Sequence, residues 1–121
     1  MEIKKYEVNG KEFEFVCDSW ETSRAWGHEV HLFYNNNEIV SNRVRYYNRT
    51  WECFRYQTCM LGAISKRKDE ILEMHLDNYK YKNNISRFKK GEKEKEIEKY
   101  TTENEMYIAL SELYDMVRGD R

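Results

Sequence analysis

Up to Tyr47 the apolar residues of this chain tend to recur at every second position; from Asn48 onward they recur every third or fourth. The two spacings belong to different secondary structures, because strand side chains alternate between faces whereas helix side chains return to one face after about 3.6 residues. A chain that makes this switch once builds a sheet first and lays helices on it afterwards, which predicts the α+β class. The expected architecture is an N-terminal antiparallel four-stranded meander packed against a long central helix, with a C-terminal helix.

Turn chemistry supports the meander. Proline is absent and there are only five glycines, so few residues can force the chain to reverse. Residues 3–9 and 12–17 flank Asn9-Gly10, a pair that tolerates positive φ at both positions and favours a two-residue hairpin. In the second run Phe13, Phe15 and Cys17 alternate with Glu12, Glu14 and Val16, the pattern of a half-buried strand with its aromatics inward. Residues 18–27 break the alternation and are predicted as an ordered loop or helical turn, with Asp18 or Ser19 as a cap. Strands are expected at about 28–34 and 38–47, separated by the turn Asn35-Asn36-Asn37.

Beyond the switch, residues 48–79 are predicted as one helix, capped by Asn48 or Thr50 with Glu52 in its first turn. Trp51, Phe54, Thr58, Leu61 and Ile64 form one stripe, with Cys53, Tyr56, Met60 and Ala63 beside it, an apolar arc wide enough to pack on a sheet. Gly62 within it suggests close approach to another backbone. Residues 80–102 read as a charged connection, solvated or an exposed strand pair, because Glu92 to Lys99 is almost wholly charged. A last helix is expected over 103–118, opened by a Thr102/Glu105 capping box. No internal repeat appears, and residues 1–121 read as a single ligand-binding domain.

Composition narrows the function. Charged residues make up 36% of the chain, which favours disorder, but 15% aromatic content supplies the apolar area for a modest core. A net charge of −1 argues against duplex nucleic acid, whose binders neutralise phosphates with a basic excess. Cys17, Cys53 and Cys59 have neither the number nor the spacing of a disulfide framework or a zinc site, so no metal and no cofactor is expected, and reduced thiols suggest a cytoplasmic protein. The N-terminus lacks an apolar signal segment and no run reaches membrane-spanning length.

No nucleotide-binding glycine loop or nucleophile-elbow motif is present. A Cys–His nucleophile is conceivable from the three thiols with His28 or His31, but each cysteine sits among apolar residues, where a core thiol is the better reading. No catalytic residue is assigned. The stretch from Arg43 to Gln57 stands apart: it holds four arginines and no lysine in fifteen residues. Guanidinium forks grip phosphate in two places, Tyr and Trp faces stack on a base, and a helix N-terminus favours an anion. Together they suit a nucleotide diphosphate. An ordinary strand-to-helix junction with core aromatics and solvated arginines accounts for the same residues. The segment Trp20, Ser23, Arg24 and Trp26 is a second candidate wall, unless its tryptophans simply plug the end of the sheet.

At Tyr47-Asn48-Arg49-Thr50-Trp51-Glu52, continuing to Phe54-Arg55-Tyr56-Gln57, the sequence resembles the Thoeris anti-defence protein 1 family, phage-encoded sponges for cyclic ADP-ribose signals. The resemblance implies a protein that binds a glycocyclic ADP-ribose immune messenger in the bacterial cytoplasm and holds it uncleaved, so that an NAD-depleting effector stays silent. It implies homo-oligomers, as dimers or hexamers built from dimers, with pockets at protomer interfaces; some members also capture cyclic trinucleotides at a separate site. On the matching motif, Arg49 and Arg55 are expected at phosphates or in ion pairs, Asn48 at a ribose or the helix cap, Gln57 in the pocket, and Trp51 in the pocket or the core. Arg45 and Tyr47 are counted with them, and Phe15, Cys17, Trp20 and Arg24 are expected to form the opposite wall. The rival expectation is a phage-type inhibitor that binds a host protein through its acidic and aromatic surface. A single-stranded nucleic-acid module uses the same Arg and Tyr residues, but near-zero net charge disfavours it.

Overall fold

A computed structural model describes residues 1–47 and 55–120. Four strands, β1 (Glu2–Val8), β2 (Lys11–Glu21), β3 (Trp26–Tyr34) and β4 (Asn37–Tyr46), form one antiparallel sheet in the order β1-β2-β3-β4. Three helices follow, α1 (Gln57–Lys82), α2 (Glu92–Glu103) and α3 (Glu105–Gly119). The α+β class and the four-stranded meander with a long helix are therefore as the hydrophobic periods predict.

The hairpins owe their tightness to residues that accept left-handed geometry. Asn9 and Gly10 have φ of 52° and 76°, and Asn35 and Asn36 have 52° and 64°, the signature of two-residue turns whose twist matches the strands. The third connection is different. Thr22 closes it, its Oγ1 accepting from the Ala25 amide at 3.1 Å while its own amide donates to the Ala25 carbonyl at 2.8 Å. Residues 18–21 and 26–27, predicted as loop or helical turn, instead extend β2 and β3 and pair through Glu21 and Trp26.

Register divides the sheet cleanly. On one face Phe13, Phe15, Cys17, Val30, Leu32 and Val40 are buried, and against them α1 packs Cys59, Met60, Ala63 and Ile64 while α3 packs Ala109, Leu110, Leu113 and Val117. All three helices lie toward this face or along one another. The other face, carrying Ile3, Lys5, Val16, Trp20, Glu29, Phe33, Arg43 and Arg45, has no helix over it. Gly62 brings α1 close to Asn42 of β4, whose Nδ2 donates to the Cys59 carbonyl at 3.0 Å; the close approach is to a side chain rather than to backbone.

The helical boundaries depart from expectation. Helix α1 starts at Gln57, with Tyr56 in the cap position and no side-chain cap; the expected caps Asn48 and Thr50 lie outside the described residues. Gln57 has a structural task. Its Nε2 reaches the carbonyl oxygens of Val117, Arg118 and Asp120 at 2.8, 3.0 and 2.9 Å, so the first residue of α1 satisfies acceptors that the last turn of α3 leaves open. Gln57→Ala is expected to cost about 1–2 kcal/mol, read as a lower urea midpoint with unchanged slope. An unchanged midpoint would show that these carbonyls are equally well served by water.

The charged run is helix α2, not a connection or strand pair. None of its residues is buried. It is held by polar and aromatic contacts: His75 Nε2 lies 2.6 Å from Glu96 Oε1, the His75 ring stacks on Tyr100 at 3.9 Å, and the Tyr79 hydroxyl donates to Glu92 at 3.2 Å. Asn104 rather than Thr102 caps α3, its side chain accepting from the Tyr107 amide at 2.9 Å.

Candidate functional site

The open face of the sheet changes character along its length. At the end bearing the two asparagine turns, Glu7 faces Glu12 across the strands and Glu14 faces Lys5; the depression there, about 420 Å³, is lined by Glu7, Glu12 and Glu14 against the single cation Lys5, a balance that disfavours phosphate. At the opposite end Trp20, Thr22, Arg43 and Arg45 line a depression of about 420 Å³. A smaller one of about 180 Å³ shares Thr22 with it and reaches Trp26 and Tyr46, whose parity is that of the helix-facing side; Glu21, Ser23, Arg24 and Tyr47 also line it. Among the described residues no carboxylate is paired with Arg24, Arg43 or Arg45. Three exposed guanidinium groups outside ion pairs among the described residues, with Glu29 facing Arg43 across the strands and Glu21 lining the smaller depression beside Arg24, are cationic groups of the kind that grip an anion.

Strand geometry explains the convergence. Trp20 pairs with Gly27, and Gly27 pairs with Arg45, so the three share one row on the open face. Gly27 leaves a gap there: a Cβ at that position would fall 2.7 Å from two atoms of the Trp20 indole. The indole therefore lies across β3, and the Arg43 guanidinium from β4 sits 4.1 Å from its ring centroid. The Trp20 Nε1 is buried without an acceptor among the described residues. Arg45 lies 5.3 Å from the Tyr47 ring centroid, and Tyr47 is 79% exposed.

Of the residues singled out from sequence, Trp20 and Arg45 share the larger depression, and Arg24 and Tyr47 the smaller one. Phe15 and Cys17 line neither. Both are completely buried on the helix-facing side, since positions 15 and 17 have the opposite parity to 20. Gln57 is occupied by α3, as described. Arg55 is exposed just before α1. Asn48, Arg49 and Trp51 lie outside the described residues. Arg43 and Thr22 were not singled out as ligand contacts; alternation alone pairs Arg43 with Arg45 on one face, but bringing them to Trp20 needs the register of three strands.

Directly behind the site, on the buried face, Trp26, His28, Tyr46 and Tyr56 form an aromatic cluster, with His28 4.5 Å from the Tyr56 ring and 5.3 Å from Tyr46. His28 is 2% exposed. Burial holds its pKa below the usual imidazole value of 6.5, opposed in part by a hydrogen bond to the Arg55 main chain. A base with a depressed folded pKa binds fewer protons folded than unfolded, so stability rises with pH in that window. The contribution is complete above about pH 6.5 and fades as pH falls below it. The melting temperature is expected to drop between pH 7 and 5, and less steeply in His28→Phe; equal slopes would show that other groups set the acid limit.

Of the three candidate thiols, Cys53 lies outside the described residues. Burial raises Cys17 and Cys59 to about 11, and Cys59 Sγ lies 3.3 Å from the Asn42 carbonyl, so both are core thiols. Among the described residues no group of three or more potential ligands could hold a metal ion, and no helix is long and apolar enough to cross a membrane. No family model, curated protein or solved structure matches this chain.

Proposed function

We propose that the chain sequesters a small anionic nucleotide, a cyclic ADP-ribose isomer of the immune-messenger type, holding it without cleavage in the bacterial cytoplasm. The observation that carries this reading is the meeting of Arg43 and Arg45 with Trp20 at one end of an otherwise uncovered sheet face, with Arg24 lining the adjoining depression. The combination of several cations with flat aromatic groups suits a ligand with two phosphates and a base. The motif from Tyr47 to Gln57 supports it through the family resemblance, with Arg55 exposed beside α1; Gln57 then acts as a support rather than a contact. The depression is shallow, so a pocket completed by a second copy of the chain fits the need to enclose the ligand. Capture of cyclic trinucleotides, which the resemblance extends to some members, belongs to the same proposal.

Silencing a receptor by mass action requires free messenger to fall below the receptor's dissociation constant, so nanomolar affinity, about −12 kcal/mol, is expected. The test is calorimetry with cyclic ADP-ribose isomers, followed by heat release of the ligand and its chromatography. Tight binding with intact ligand recovered supports a sponge. Degraded ligand would make the protein an enzyme. No heat and no thermal shift with any nucleotide would favour the rival, an inhibitor that binds a host protein.

A further inference from the structure

The aromatic ring expected to receive a base already stacks with a side chain of the protein. The Trp20 indole crosses Gly27 so closely that a Cβ there would lie 2.7 Å from its Cε2 and Cζ2. One face of the ring is covered by the Arg43 guanidinium at 4.1 Å from the ring centroid. Arg43 itself is exposed and, among the described residues, has no acidic partner. A guanidinium is planar, delocalised and weakly hydrated, so it stacks on an aromatic ring with one side and leaves the other available. Indole is the strongest of the aromatic partners for a cation. Arg43 is thereby held as a flat charged surface at the mouth of the depression that Thr22 and Arg45 also line.

We propose that Arg43, rather than Trp20, provides the surface on which a ligand's base stacks, with Trp20 acting as its positioning residue from beneath. Nucleic-acid bases stack on arginine planes as well as on aromatic rings. The arrangement divides the work of the site. Arg24 and Arg45 attract the phosphates as charges, whereas Arg43 distinguishes a ligand that bears a base from one that does not. This inference rests on the nucleotide-binding reading and names the group within it that confers specificity.

The distinguishing substitution is Arg43→Lys, which keeps the positive charge and removes the plane. Wild-type and variant protein would be titrated with cyclic ADP-ribose and with inorganic pyrophosphate as a base-free competitor, with melting temperatures recorded alongside. The expected result is a loss of about tenfold or more for cyclic ADP-ribose, with pyrophosphate affinity changed by less than about threefold and folding unaffected. Trp20→Leu should move cyclic ADP-ribose in the same direction, because the guanidinium loses its support. Equal losses for both probes in Arg43→Lys would overturn the inference and make Arg43 one more phosphate contact. Unchanged affinity for both would remove Arg43 from the site. A wild-type protein that binds neither probe would instead defeat the nucleotide-binding reading itself, and this inference with it.

Discussion

Phe15→Ala is expected to lower stability by about 3–5 kcal/mol, up to half or more of what a domain of this size typically has. The physical reason lies in its surroundings. The ring is completely buried, meets Tyr6 edge-on at 5.9 Å, and sits opposite Leu32 in the register of β2 and β3. Removing it leaves a void between two strands and α1 that a close-packed interior cannot collapse to fill. In a thermal melt the loss should appear as a shift on the order of 10 °C. Trp20→Ala, by contrast, removes a partly buried ring from the face that no helix covers and should shift the melt by less. The pair of variants tests the division of the sheet into a core face and an open face. If Phe15→Ala melted like the wild type but lost ligand binding, the face assignment would be reversed.

That division was open to the sequence in principle, and its misreading is instructive. Alternation along Phe13, Phe15 and Cys17 identifies an inward row, and the same count places Trp20 on the other side, provided the strand continues. The chain through Asp18, Ser19 and Glu21 is polar on both faces, which reads as a loop. It continues as strand because its partners, His28 and Trp26 of β3, lie there to pair with it. Local pattern cannot supply a partner's register until turn lengths are known. The two asparagine-based turns were legible because positive φ is a property of the residues themselves. Helix α2 was illegible for the converse reason. Its stripe consists of Glu92, Glu96 and Tyr100, which contact Tyr79 and His75 of α1, so its docking is polar and depends on a distant element. At the site, arginine enrichment near residue 45 was visible, whereas the meeting of Arg43 with Trp20 depends on the missing side chain of Gly27, two strands' register away.

The double variant Arg24→Gln/Arg45→Gln should reduce affinity for a doubly charged nucleotide about 100-fold while leaving the fold intact. Each guanidinium–phosphate contact is charge-assisted and contributes about 1.5–3 kcal/mol; at exposed positions the lower figure is appropriate, so two contacts give about 3 kcal/mol, or two decades in the dissociation constant. Both residues are exposed and, among the described residues, neither is tied to a carboxylate. Their removal should therefore change stability by no more than about 0.5 kcal/mol. Salt supplies a second readout. An exposed cationic site loses attraction as the Debye length shrinks from about 10 Å at 0.1 M to about 3 Å at 1 M, so wild-type affinity should weaken with added salt. The double variant should show a shallower dependence, because fewer charges remain to be screened. Wild-type binding that ignores salt, or a double variant that binds as tightly as the parent, would show that the arginine end of the sheet is not where the anion is held. Reduced affinity with an equal fall in melting temperature would instead make these arginines structural.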